Sequence, residues 1–245
     1  MTTPPRVPGK RGRLPALAPA DRFALNFIHQ YAREPLPAPA YPVDVSGGIT
    51  DWGMLGNDEY GDCTFAGRQH NKMAKAAAAK ITEPWETAAA LVAEYLAYDH
   101  GQDTGAVIAN LLLSWYRAGK ILAFAPVDHS DPAQVDSAMQ EFHGCYVGVS
   151  LTDDADDLFF ENLPWGSGSL TPDPNDGHCI VKVKADGRAR DTWVTWGALQ
   201  ESTLPWTAAC LDEAWVIITT EDEAAKVDMP TLIADINALG GTQAG

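Results

Sequence analysis

Two spacings of apolar residues divide this chain. Up to about residue 142 they recur every three or four positions, and beyond it mostly every second position. The first spacing is that of a helix with one face against a core; the second is that of a strand. The Ala-rich stretch TFAGRQHNKMAKAAAAK (64–80) predicts a helix of about 17 residues. A second helix fits PWETAAALVAEYLAYD (84–99). A third fits DTGAVIANLLLSWYRAG (103–119), where Val107, Ile108, Leu111, Leu112 and Trp115 share a face and Gly119 ends the run. PAQVDSAMQEF (132–142) fits a fourth. Then CYVGVSLT (145–152), HCIVKVKAD (178–186), DTWVTWG (191–197) and EAWVIITT (213–220) read as strands. The acidic, Gly- and Pro-rich residues 153–177 predict a long loop, and Pro230 opens a last helix over 230–239, stopped by Gly240 and Gly241. There are no internal repeats. Helices first and strands after predict an α+β domain, a helical lobe facing an antiparallel sheet.

The start of the chain is different. Residues 1–20 are rich in proline and carry Arg6, Lys10, Arg11 and Arg13 with no acid. DRFALNFIHQYA (21–32) fits a short helix, and EPLPAPAYPVD (34–44) is held extended by its prolines. This organisation predicts an arm over 1–42 and one folded body over 43–245, with a helical lobe at about 56–142 and a sheet lobe at about 143–220. Pro-rich termini are commonly disordered, so the arm reads either as a tail or as a segment that docks on an acidic surface.

Charge narrows the partners. The chain of 245 residues has a net charge of −16, and without the four arm cations the remainder is more acidic still. Such a body repels nucleic acid and anionic membranes. No run of 18 apolar residues predicts a membrane span. The first twenty residues lack the apolar core of a secretory signal, so a cytoplasmic location is expected. Cys63, Cys145, Cys179 and Cys210 form no CxxC pair, and reduced thiols are expected rather than a disulfide framework or a zinc site. No cofactor is expected.

One cysteine sits where chemistry is plausible. In GNDEYGDCT (56–64), Cys63 falls at the first turn of the Ala-rich helix, where unpaired N–H groups and the helix dipole lower a thiol's pKa. A thiolate needs a histidine to relay its proton. His70 is two turns along the same helix, about 10 Å away, too far to serve. His29, His100, His129 and His143 carry no such signal, whereas His178 opens a strand after a long loop. Each reading has a bland counterpart: a small buried cysteine, and a histidine satisfied at a strand end.

Taken together, the motifs resemble the papain-like cysteine peptidases. In that family a Gln lies six residues before the nucleophilic Cys and a Gly two before; here Asn57 and Gly61 hold those places relative to Cys63. The family's His opens a strand in a HAV context, matched by HCIVKV, and its NSWG motif is matched by VTWG at 194–197. VDVSGGITDWGML (43–55) and HGCYVGVSLT (143–152) resemble the stretches before the Cys and before the His. The likeness spans about residues 43–220 and extends to a divergent bacterial and phage branch with GND-x-x-GDCT and VTWG.

The resemblance implies Cys63 as nucleophile, His178 as general base then acid, and Asn57 with the Cys63 N–H as oxyanion hole. It implies an orienting Asn at position 194, where Val194 stands; Asp191, Thr195 and Asp176 are possible substitutes. Two functions follow: a peptidase or amidase, weak or degenerate without that Asn, or a non-enzymatic assembly protein such as a virion component. In the second, Arg6, Lys10, Arg11 and Arg13 would contact a neighbouring subunit in a homo- or hetero-oligomer. DDADD (153–157) and DPNDG (173–177) are read as solvated turns with no metal. Trp193 and Trp196 are assigned to the core, while Trp165, in LPWGSGSL, is a candidate contact residue.

Overall fold

The computed structural model describes residues 6–16, 25–81 and 85–239. Their elements run α1 (Ile28–Tyr31), β1 (Val43–Asp44), α2 (Cys63–Ala79), α3 (Ala88–Tyr98), α4 (Ile108–Arg117), β2 (Ala123–Val127), α5 (Pro132–Phe142), β3 (Cys145–Thr152), α6 (Ala155–Phe160), β4 (Pro172–Ala185), β5 (Arg190–Thr195), β6 (Ala198–Thr203), α7 (Leu204–Cys210), β7 (Leu211–Ile218), α8 (Glu221–Ala225) and α9 (Met229–Ala238). The strands form one antiparallel sheet in the order β2-β7-β3-β4-β5-β6, with the short β1 paired to β4. The architecture is α+β, as the two spacings predict.

Helix α2 is the centre of the helical layer. From Cys63 to Ala76 nearly every residue is buried, including Phe65, Ala66, Met73 and Ala74. A helix buried all round cannot show a clean amphipathic stripe. Its small residues allow close approach: the Cβ that Gly67 lacks would stand 3.0 Å from the Tyr146 ring of β3. Where local chemistry is strong, the boundaries follow it. Asp131 caps α5 by accepting from the N–H groups of Ala133 and Gln134, with Pro132 next, and His143 ends it in the left-handed conformation.

Several boundaries differ from the sequence expectation. The third helix starts at Ile108 rather than Asp103, because residues 99–107 form a loop tied by side chains. Asp103, at φ 53°, accepts through Oδ1 from the Gly61 N–H (2.8 Å) and the Tyr95 hydroxyl (2.8 Å). Asp99 accepts from the Thr104 N–H. This loop braces the segment before Cys63. Residues 153–177 are not one long loop: α6 occupies Ala155–Phe160 and β4 begins at Pro172. The polar composition hid a helix whose inner face is Ala155, Leu158 and Phe159. The helix expected over 21–32 is only Ile28–Tyr31, and residues 21–24 lie outside the described residues, as do 82–84, Gly240 and Gly241.

The arm is not a free tail. Arg13, Ile28 and Tyr31 are buried, and the Tyr31 hydroxyl donates to Asp235 of α9. No described helix is long and apolar enough to cross a membrane.

Candidate active site

Cys63 is the first residue of α2, at the N-terminal end of a helix more than four turns long. Its thiol is 1% exposed, and the backbone N–H groups of Cys179 and Gly12 reach toward it. Burial pushes the thiol up to about 12, with the Asp62 carboxylate adding to the rise; the two N–H groups and the Arg13 charge oppose it without winning. This corrects the expectation of a lowered thiol pKa. A helix end favours a thiolate only where the thiol keeps enough solvation, and here another part of the chain covers it.

His178 stands on β4, opposite Val149 of β3, one residue before the Cys179 N–H that faces Cys63. Its Nε2 lies 2.8 Å from the Thr195 hydroxyl, and its ring stacks on Trp196 at 4.8 Å. Nδ1 has no hydrogen-bond partner among the described residues. With Nε2–H donating to Thr195 Oγ1, Nδ1 keeps the lone pair that a general base needs. Burial first, then the Arg11, His70 and Arg13 charges, hold His178 well below the usual histidine range.

Register explains why Thr195, and not residue 194, meets the imidazole. Val181 of β4 pairs with Val194 of β5, so these two share a face of the sheet. His178 is three residues from Val181 and so faces the other side, which is also the side of Thr195. Val194 is fully buried in the core. The other two substitutes are engaged elsewhere. Asp191 pairs with Lys182 (2.8 Å) and accepts from Thr207, while Asp176 accepts from Arg11 (2.8 Å).

Asn57 is buried beside the nucleophile loop. Its Nδ2 donates to the Lys10 carbonyl (2.9 Å) and the Tyr60 carbonyl (3.0 Å), while its own backbone carbonyl accepts from the Lys10 N–H (2.6 Å).

Comparison with solved structures identifies the fold. Xylellain, a cysteine protease from Xylella fastidiosa, superposes with a TM-score of 0.62 at 13% identity, covering 90% of this chain and all of the other. The fold is papain-like. No protein-family model matches the chain, and no curated protein sequence matches it significantly.

The chain's own arm packs beside the segments that carry Cys63 and His178. The Arg6 guanidinium sits 4.2 Å from the Phe159 ring, donates to the Phe159 and Leu199 carbonyls (2.8 Å each) and reaches the Gln200 side chain. Arg11 bridges Asp156 (2.5 Å) and Asp176 and lies 4.9 Å over Trp196. Arg13 enters a pocket between Asp212 and Glu213. Between the cations the backbone lies against the floor. A Cβ on Gly12 would stand 1.5 Å from the Gly61 carbonyl oxygen, and one on Gly9 would stand 2.6 Å from that of Asn57. Three of the four cations assigned to a neighbouring subunit, Arg6, Arg11 and Arg13, thus bind their own body, while Lys10 is held through its backbone. The signal for this was in the sequence, in the alternation of glycines with cations in GKRGR (9–13).

The tryptophans line the papain-like core. Trp165 is fully buried, stacked on Trp206 at 4.8 Å, with its Nε1–H donating to the Ala155 carbonyl. It is therefore not a surface contact; the Gly-rich loop bends inward around it. Trp193 is buried, and Trp196 covers His178 as well as packing inward. His70 is buried with Nε2 near the Trp52 and Gly53 carbonyls (3.2 and 3.0 Å), which anchors that turn beside Gly197.

Proposed function

We propose that the protein is a cysteine peptidase or amidase held latent by its own residues 6–16. The observation that carries this reading is His178 itself: Nε2 is held by Thr195, Trp196 covers the ring, and Nδ1 is left unpartnered beside the residue that faces Cys63. A buried imidazole with one nitrogen fixed and the other unused is a costly arrangement without a reaction to serve.

With the arm displaced, the Cys63 thiol would give its proton to His178 Nδ1. The thiolate would attack a carbonyl carbon, and the developing oxyanion would take hydrogen bonds from the Cys63 N–H and Asn57 Nδ2. The C–N bond would break as the imidazolium protonates the leaving amine. Water would then attack the thioester, with His178 accepting its proton, releasing the acid and restoring the thiol. With the arm docked, Asn57 is engaged by Lys10, the thiol is buried and Arg11 and Arg13 disfavour an imidazolium. All three parts are switched off by one segment.

The test is Gly12→Val in the full chain, which forces the arm away from the Gly61 backbone. This variant should hydrolyse a mixed fluorogenic peptide library, and Cys63→Ala in the same background should abolish that hydrolysis. Hydrolysis that survives Cys63→Ala, or an unreactive Cys63 in the folded Gly12→Val protein, rejects the reading. The second outcome favours a non-catalytic assembly protein, for which Val194 in place of an orienting amide already speaks.

A further inference from the structure

The reading of the cleft as a peptide site raises the question of which side chains it selects, and the arm supplies an answer. Arg13 pairs with Ala106 in a parallel bridge: the Ala106 N–H donates to the Gly12 carbonyl (2.7 Å), and the Leu14 N–H donates to the Ala106 carbonyl (2.9 Å). On the other side, a Cβ on Gly177 would stand 2.3 Å from the Arg13 carbonyl oxygen. These are backbone contacts that any sequence can make. Selection must come from the side-chain seat.

That seat is built for a guanidinium. Arg13 Nε donates to Glu213 Oε1 (3.0 Å), Nη1 donates to Asp212 Oδ2 (2.9 Å) and to the Val149 carbonyl (3.3 Å), and Nη2 lies 2.6 Å from Asp212 Oδ1. The body orients both carboxylates without the arm. Trp215 Nε1 donates to Glu213 Oε2 (2.9 Å), and the Ser150 hydroxyl donates to Asp212 Oδ2 (2.8 Å). Gly148 makes the room, since a Cβ there would stand 2.5 Å from Arg13 Nε and 2.8 Å from Glu213 Oε1. With the arm lifted away, two adjacent carboxylates and a carbonyl face a slot that nothing apolar can satisfy. The donors are spread over Nε and both Nη atoms, a fork that lysine lacks. The Arg11 seat is weaker, because its partner Asp156 is about half exposed.

We propose that the Asp212–Glu213 pocket is the substrate-selecting subsite of this cleft and takes an arginine side chain within two residues of the peptide bond at Cys63. The proposal rests on the peptidase reading for its meaning, but not for its test. The peptide VPGKRGRLPA (7–16) is titrated into the full-length Gly12→Val protein, beside versions carrying Arg13→Leu or Arg13→Lys. Truncating one partner of a buried hydrogen-bonded charge pair should weaken binding at least about 30-fold for Arg13→Leu, with Arg13→Lys between. Glu213→Gln in the protein should weaken the arginine peptide and leave the leucine peptide little changed. Equal binding of the leucine and arginine peptides overturns the proposal. So does failure of the arginine peptide to bind a folded protein whose Cys63 has become reactive. If Gly12→Val does not fold or does not expose Cys63, Gly9→Val takes its place, since Asn57 blocks a side chain there. If the arginine peptide binds selectively and no library is ever hydrolysed, the peptidase reading fails while the pocket stands; hydrolysis without arginine preference is the reverse case.

Discussion

Lys182 and Arg13 are both buried between paired carboxylates, and they do different work. Lys182, in the middle of β4, lies 2.5 Å from Asp136 and 2.8 Å from Asp191, with Tyr41 and Thr207 hydroxyls satisfying the outer oxygens. The Arg13 guanidinium is as deeply buried, between a buried Glu213 and an Asp212 that is 36% exposed. Lys182 belongs to the sheet and cannot leave without unfolding it. Arg13 belongs to the N-terminal arm, which in the proposed latent enzyme must lift for the cleft to open, letting water reach the carboxylates behind it. A buried charge locks a fold in the first setting and latches a lid in the second.

The comparison predicts its own largest effect. Lys182→Met leaves two carboxylates uncompensated in the core and should cost about 3–5 kcal/mol in urea denaturation. Arg13→Leu should cost far less in the same experiment. If the two losses are alike, the distinction between lock and latch is broken.

Next comes the reactivity of Cys63. In the native chain, alkylation by iodoacetamide should stay slow until the pH approaches about 12, because the buried thiol is neutral below that. Gly12→Val should bring the midpoint to the free-thiol value of about 8.5 or lower, raising the rate at pH 8 by up to about 10³-fold. A variant with its arm displaced and an unchanged pH profile would show that the arm does not control the thiol.

Within the Gly12→Val background, Thr195→Val removes the partner that orients His178. Activity should fall, by no more than the roughly 10⁴-fold seen when an orienting group leaves the wrong tautomer, and Thr195→Ser should restore most of it. A stability loss without a change in pH–rate profile would make Thr195 merely structural.

Asp62 carries a pH signature. Burial raises its carboxyl to about 7, opposed by its own backbone and by Asn57, with the Asp103 and Asp58 charges adding to the rise. A carboxyl with a raised folded-state pKa binds more protons folded than unfolded, so stability should fall as pH rises from about 4 to about 7. Asp62→Asn should flatten that slope. The smallest effect belongs to the surface. Glu201→Gln, which loosens an exposed 3.8 Å pair with Arg190, should change stability by less than about 0.5 kcal/mol.

What was legible in the sequence follows from where the signals are local. β3 begins and ends at Cys145 and Thr152, where the strand period lies, and α5 follows its Asp-Pro cap. Cys63 at a helix start and His178 on a strand were readable for the same reason. Thr195 was readable only as one of three possible substitutes, and the choice of it over Asp191 and Asp176 was not, because sequence spacing counts residues whereas the partner of an imidazole is set by which face a register presents. The raised thiol pKa was hidden too, since it comes from burial of Cys63 among segments distant in sequence, those of Gly12 and Cys179 among them. Composition misled at Trp165 and α6, where polar neighbours conceal residues that point inward.

The latch is also a matter of concentration. Because residues 6–16 are joined to the body they cover, the segment faces its seat at an effective concentration on the order of millimolar, however dilute the protein. A free peptide of equal affinity would need millimolar amounts to displace it. Once the connection beyond Ala16 is severed, the same contacts become an ordinary bimolecular complex. At micromolar protein that complex empties by dilution alone unless its dissociation constant is lower still. On the latent reading, the covalent tether, more than any single contact, would set whether the cleft is open.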